Sequence, residues 1–399
     1  MRVKLPIYMD HNATTPVDPR VFEAMRPYFV EVFGNAASRS HGFGQIAAKA
    51  VDCSRELVAA LLGAEPKEII WTSGSTEANN LAIKGVAEMY RDKGRHIITQ
   101  VTEHKAVLDP CKKLQRDGYE ITWLPVDRHG RVSAQQVAEA IRPDTILVSI
   151  MWANNEIGTV MPIRQIGEIC HDSGVLFHTD ATQAVGKERV DVQADNIDLL
   201  SFSGHKMYGP KGCGALYVRS RGPKVRLAPL LDGGGHERGF RSGTLNVPGI
   251  VGVGAACEVA LYEGGPEATR LNALRNRLQR AIFSKIDGVT VNGDEKHRLA
   301  HVTNLSFADI DGPQLLAALE EIAVSSGSAC TSASMEPSYV LKALGVPNDL
   351  AYASIRFSLG KQNTEQEADY VADRLAQTVR QLRETLPVRE IMTAHQQCV

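Results

Sequence analysis

Short apolar runs and stripes of helical spacing take turns along most of this chain. Val21, Met25 and Phe29, behind an Asp and a Pro, predict a helix over 18–32. Residues 34–38 read as a loop, 44–62 as a long helix closed by Gly63, and 68–72 as a strand. A turn at 73–76 leads into a helix over 77–89. Beyond it, apolar runs at 96–99, 120–124, 145–149, 175–178, 199–202 and 215–218 predict strands. Helical patterns at 107–116, 133–141 and 163–172 lie between them. Such alternation with short turns implies an α/β domain whose mostly parallel sheet carries helices on both faces.

The pattern changes in the last third. A glycine-rich loop over 233–248 precedes a small-residue helix at 249–261, and Glu263-Gly-Gly-Pro266 is the expected boundary. Helices are predicted at 268–286, 312–322 and 364–386, with strands only at 302–307 and 354–358. This strand-poor part implies a smaller α+β domain.

Composition narrows the class without naming a chemistry. At 399 residues the chain can bury a large core and form two domains. Hydrophobic content of 43% and charged content of 23% suit a soluble globular protein. A net charge of -2 gives no general reason to expect nucleic acid or an anionic membrane as partner. No apolar run nears the roughly 20 residues of a membrane span, and residues 1–10 show no signal-peptide core, so a cytoplasmic location is expected. The seven cysteines are scattered, with no C-x-x-C pair. That argues against a disulfide framework or a structural zinc site, and most should be small buried hydrophobes.

Candidate chemistry centres on Ser201-Phe-Ser-Gly-His-Lys206-Met-Tyr-Gly-Pro-Lys-Gly212. Lys206 stands between Gly204 and Gly209 at a strand end, where a desolvated amine can attack a carbonyl. Ser73-Gly-Ser-Thr-Glu77 joins a strand to a helix, and the free N–H groups there with two hydroxyls make a phosphate cradle. It has neither the P-loop ending nor the dinucleotide spacing. Asp180 closes a buried strand, where open α/β sheets bind ligands. Lysine, carboxylate and phosphate turn together are the parts of a pyridoxal phosphate (PLP) site.

Three further features add to these. His104 follows a strand and could stack on a planar cofactor and move protons, while Asn154-Asn155 offers either amides at the same sheet edge or a turn. Cys330 lies amid Ser325-Ser-Gly-Ser-Ala-Cys-Thr-Ser-Ala-Ser334, ten small uncharged residues, from which an exposed, mobile thiolate could reach a substrate. Arg356 sits in an apolar strand and needs an anion, either a structural Asp/Glu or a substrate carboxylate.

Jointly these residues resemble the cysteine desulfurases of the IscS/NifS group, in the class V aminotransferase family, over essentially the whole chain. The matching motifs are Asp10-His-Asn-Ala-Thr-Thr-Pro16, Thr72-Ser-Gly-Ser-Thr-Glu77, Thr102-Glu-His104, Ala153-Asn-Asn-Glu156, His178-Thr-Asp-Ala-Thr-Gln183 and Ser203-Gly-His-Lys206. Arg241-Ser-Gly-Thr244, the Cys330 segment and Ile355-Arg-Phe-Ser358 complete the set. The long cysteine segment is similar to that of group I members.

The resemblance implies PLP fold type I: a mostly parallel seven-stranded sheet flanked by helices, with a smaller α+β C-terminal domain. It implies a large PLP-binding domain at 16–263, with 1–15 and 264–399 forming the small domain. Lys206 would carry PLP, Asp180 would pair with the ring nitrogen and Gln183 with the ring hydroxyl, and His104 would stack on the ring. Ser75, Thr76, Ser203 and His205 would hold the phosphate, with Thr244 joining from the other subunit of a homodimer. Asn155, Arg356 and Asn35 would seat L-cysteine, Arg356 by its carboxylate. Cys330 would take the sulfur as a persulfide, leaving L-alanine, and pass it to an iron–sulfur scaffold or another acceptor. A [2Fe-2S] cluster at Cys330 would be transient and shared with that scaffold, because one thiolate cannot hold it alone.

Two departures bear on this. Ala36 replaces a proline common in relatives, and residues 392–399 do not match the C-terminal segment by which housekeeping members dock their scaffold. Two rival readings stay open from the residues: a different PLP enzyme, such as an aminotransferase or selenocysteine lyase, or a non-catalytic iron–sulfur assembly scaffold. The Cys330 segment argues against an aminotransferase, which needs no thiol.

Overall fold

The computed structural model describes residues 3–326 and 337–385; Cys330 and Cys398 lie outside them. In chain order the first elements are β1 (Ile7–Tyr8), α1 (Pro19–Met25), α2 (Pro27–Val30), α3 (Gly42–Leu62), β2 (Ile69–Thr72) and α4 (Ser75–Met89). Then come β3 (His96–Gln100), α5 (Lys105–Arg116), β4 (Glu120–Leu124), α6 (Ala134–Ala140), β5 (Thr145–Ser149) and α7 (Ile163–Asp172). β6 (Leu176–Asp180), β7 (Leu199–Ser203), β8 (Gly214–Val218) and the long α8 (Val247–Phe283) follow. The last are β9 (Val289–Asn292), β10 (Val302–Phe307), α9 (Gly312–Ala317), β11 (Ile322–Ala323), α10 (Tyr339–Ala343), α11 (Asn348–Tyr352), β12 (Ser354–Ser358) and α12 (Glu365–Thr385).

These elements form two compact units, one of residues 14–155 and 159–266, the other of the remainder. The first is built on a seven-stranded sheet of order β2-β8-β7-β6-β5-β3-β4. β3 to β7 pair in parallel, whereas β8 runs antiparallel to β7 and β2. β5, β6 and β7 are buried along their whole length, which explains their continuous apolar runs. Helix α4 packs Leu81, Ile83 and Val86 into a core with Ile97, Leu147, Leu199 and Leu216.

The second unit pairs β9, β10 and β12 antiparallel, and β1 with β11 in parallel. Its core joins Met9, Leu278, Phe307, Phe357 and Leu375. The short partners β1, β9 and β11 are absent from the sequence pattern because two to four residues are too few to show a period.

Four predicted helices differ in extent. The 18–32 helix is two pieces, because Pro27 brings no N–H and starts a new turn. The 312–322 helix stops at Ala317, and Ile322 enters β11. The helices expected at 249–261 and 268–286 are one continuous α8, although the two units divide after Pro266, at the expected boundary. Pro266 leaves the Tyr262 carbonyl without its helical donor, but Tyr262 is 78% exposed and water can serve there. No helix among the described residues is long and apolar enough to cross a membrane.

Candidate cofactor and catalytic site

The first unit carries most of the sequence-named residues at the carboxyl ends of its parallel strands. Asp180 ends β6 and is buried. Asn79 Nδ2 donates to its Oδ2 at 2.7 Å and the Thr182 N–H to its Oδ1 at 3.0 Å, so donors on both oxygens hold the carboxylate. Its own carbonyl accepts the Trp152 N–H at 2.9 Å, tying β6 to the loop after β5.

β2 leads through Ser73 and Gly74 into α4, which begins at Ser75 rather than at Glu77. Gly74 is the N-cap, with φ 146° and ψ -179°, a region that essentially only glycine enters. It offers no side-chain cap, so the first-turn N–H groups point outward with no helical acceptor. A Cβ on Gly74 would stand 3.4 Å from Ser203 Oγ, which places the end of β7 beside this turn.

Gly204–Lys206 form a single 3-10 turn directly after β7. Gly204 has no room for a side chain, since a Cβ would lie 2.8 Å from Val253. Its carbonyl accepts the N–H groups of Met207 and Gly209, which closes the turn around Lys206. The His205 carbonyl accepts the Thr15 N–H at 3.0 Å and Thr15 Oγ1 at 2.9 Å, a second clamp on the same turn. Lys206 is half-buried. His205 Nδ1 lies 3.0 Å from Thr14 Oγ1. Burial, then the Lys206, Lys211 and Lys187 ammonium groups, push the His205 pKa down to about 4, so the imidazole is neutral near pH 7.

His104 caps α5, its Nδ1 accepting the Ala106 N–H at 3.1 Å, which leaves the ring proton on Nε2. Before it, Glu103 is fully buried and accepts the Met151 N–H at 2.6 Å. Burial raises its pKa well above the usual carboxylate range, and the Asp180 charge adds to this. Asn154 Nδ2 donates to the Thr102 carbonyl at 3.0 Å, so the loops after β3 and β5 are joined, with Asn155 next in line. Gln183 is buried and its Oε1 accepts from Lys187 Nζ at 3.0 Å. Thr244 and Asn35 are exposed.

In the second unit Arg356 is fully buried, and the anion it needs is supplied by Asp10, whose Oδ1 accepts from its Nη2 at 2.7 Å. Cys330 lies outside the described residues.

The family model for Aminotransferase class-V matches residues 7–371. The chain belongs to the class-V aminotransferase family. A relative from Anaeromyxobacter sp. (strain K), named cysteine desulfurase IscS, is 58% identical over 390 residues, 98% of this chain and 96% of the relative. Among solved structures, a NifS-like protein has a TM-score of 0.88 at 38% identity, covering 94% of this chain and all (100%) of that one. Another, titled as SspA in complex with cysteine, has a TM-score of 0.80 at 40% identity, covering 88% and 98%.

This membership implies PLP, and the residues present fit it. The uncapped start of α4 suits a phosphate. Asn79 Oδ1 and Thr182 Oγ1, around Asp180, are buried with no hydrogen-bond partner among the described residues, as expected where a polar ring completes the site. Lys206, Asp180 and the α4 turn supply amine, carboxylate and anion cradle.

Three supports of this site have no role assigned from sequence, two of them inside quoted motifs. Asn79 lies one helical turn after Ser75, and a second consecutive polar amide inside a helix was its only signal. His178, two residues before Asp180 on the same face of β6, is fully buried between Ser149 Oγ (2.8 Å) and Ser201 Oγ (3.0 Å). Glu77 Oε2 accepts the Ser73 N–H and its Oε1 accepts Arg241 Nε, each at 2.8 Å, linking the α4 turn to the Arg241–Thr244 motif.

Proposed function

We propose that this protein is a PLP-dependent cysteine desulfurase, releasing L-alanine from L-cysteine and keeping the sulfur as a persulfide on Cys330. The placement of Asp180, Lys206 and the uncapped α4 turn on one sheet edge carries this reading, and the near full-length likeness to cysteine desulfurases supports the reaction.

Lys206 Nζ is the amine that would hold the cofactor aldehyde and, once released, move protons. Asp180, held by Asn79 and Thr182, would pair with the ring nitrogen. Gln183 would contact the ring oxygen. Ser75, Thr76, Ser203 and neutral His205 would hold the phosphate with the α4 N–H groups. Thr244 serves the site of a second copy in a homodimer, and its exposure suits that role. The exposed Phe22, Phe29, Phe33 and Phe43 give a second copy an apolar surface to cover. His104, with its proton on Nε2, would stack on the ring and move a proton to and from substrate. PLP, when bound, supplies the electron sink that makes the substrate Cα–H acidic.

Arg356 takes the substrate carboxylate, with Asn155 and Asn35 as further substrate contacts. The Cys330 thiolate then attacks the substrate sulfur. The S–S bond forms as the Cβ–S bond breaks, and protonation of the remaining carbon skeleton gives L-alanine. The acceptor of the persulfide sulfur is an iron–sulfur scaffold protein or another sulfur carrier in the cytoplasm, and a [2Fe-2S] cluster is the cargo shared transiently at Cys330.

The test is purified holoenzyme with L-cysteine and a reductant. Equimolar L-alanine and sulfide are expected, with both lost in Lys206→Ala. Alanine formation that survives Lys206→Ala would overturn the reading.

A further inference from the structure

The Arg356 guanidinium is buried, and within its own unit it pairs with Asp10 through Nη2 at 2.7 Å. Asp10 is delivered there by its backbone. It forms a parallel bridge with Ser358, two residues from Arg356, and the Tyr8 hydroxyl donates to its carbonyl at 3.0 Å. The Arg356 backbone is fixed as well, since its N–H donates to the Ser325 carbonyl at 2.7 Å and β12 sets it opposite Asn304 on β10. Both ends of the arginine are therefore set before any ligand arrives. The contact is single, one Asp10 oxygen on one guanidinium nitrogen, rather than the two-pronged fork an arginine can give a carboxylate.

A guanidinium out of water needs a counter-charge, and Asp10 supplies it in the free protein. We propose that Asp10 tunes substrate affinity: it neutralises and orients Arg356, and the substrate carboxylate must share the guanidinium with it. This rests on the assignment of Arg356 to the substrate carboxylate above. L-Cysteine and L-alanine carry the same carboxylate and differ by one sulfur. An arginine with no counter-charge would hold both more tightly, and such uniform binding lowers KM without speeding chemistry while it slows product release. A partly neutralised arginine lets the product go.

The experiment measures dissociation constants of L-alanine and of ethylamine, its analogue without the carboxylate, from the absorbance of the cofactor in the holoenzyme. Asp10→Asn keeps an oxygen for Nη2 and removes the charge. It is expected to bind L-alanine at least fivefold more tightly, with ethylamine within twofold of the unaltered protein and the KM for L-cysteine falling in step. Asp10→Glu keeps the charge and is expected to stay within threefold for both ligands. Should Asp10→Asn fail to fold, Asp10→Ser, which still offers an oxygen, carries the same expectation. L-Alanine binding that is unchanged or weaker without the charge, or ethylamine binding that tightens equally, overturns the proposal. Arg356→Gln separates the two claims: it is expected to weaken L-alanine at least tenfold and spare ethylamine. If it does not, the carboxylate role of Arg356 falls and this proposal with it. If it does while Asp10→Asn shows no tightening, only the role of Asp10 falls.

Discussion

Asn79 on α4 donates to Asp180 at the end of β6 across 2.7 Å, and neither residue is open to solvent. A helix side chain thus holds the carboxylate assigned to the cofactor ring. Removing a buried hydrogen bond to a charged acceptor costs about 1.5–3 kcal/mol. Asn79→Ala is expected to weaken PLP binding roughly 10- to 100-fold, read by titrating the apoprotein and following absorbance. Unchanged affinity would remove Asn79 from the site.

Gly74 is the most constrained position of the phosphate turn, with φ 146° and ψ -179°. Forcing an alanine into that region costs about 1–3 kcal/mol of strain. The Gly74→Ala protein is expected to melt at lower temperature and to retain PLP poorly on gel filtration. A variant with ordinary stability and full cofactor would show that the turn has another conformation.

His178 gives the fold a pH dependence of known sign. Burial lowers its pKa from 6.5 to about 4, although the Asp180 charge opposes this. The unfolded chain therefore binds a proton that the folded chain refuses between those values. The stability is full above pH 6.5 and is lost as pH falls toward 4, by about 3 kcal/mol at most. Urea unfolding at pH 7 and at 4.5 should show a smaller difference for His178→Gln than for the unaltered protein. An equal difference in the two would contradict the account.

The loop that carries Arg241-Ser-Gly-Thr244 depends on Glu237. Its carboxylate takes both Arg55 nitrogens at 2.8 Å and the Trp71 N–H at 2.8 Å, all buried. Glu237 and Arg238 hold positive φ values of 47° and 57°, which that network maintains. Glu237→Ala leaves Arg55 charged and buried, and should cost about 3–5 kcal/mol in urea denaturation. A loss below 1 kcal/mol would mean that solvent reaches Arg55.

How far the sequence reveals this protein differs between fold and site. The strands of the large sheet are legible because β5, β6 and β7 are buried along their length and read as apolar runs. Lys206 and Asp180 are legible because glycines and a strand end mark them. Asn79 and the Asp10–Arg356 pair are not, since their partners are 101 and 346 residues away and no local pattern records them. The continuity of α8 through Gly264, Gly265 and Pro266 is hidden for a different reason: helix-breaking residues are tolerated where the freed carbonyl faces water.

The central claim is that sulfur passes from L-cysteine to Cys330. Mass spectrometry of the protein after a single turnover, with alanine measured in the same sample, tests it most directly. The expected result is one added sulfur on the peptide containing Cys330 for each alanine formed, and no added sulfur in Cys330→Ala. Alanine produced at the ordinary rate by Cys330→Ala, or sulfur found on another cysteine, would contradict it.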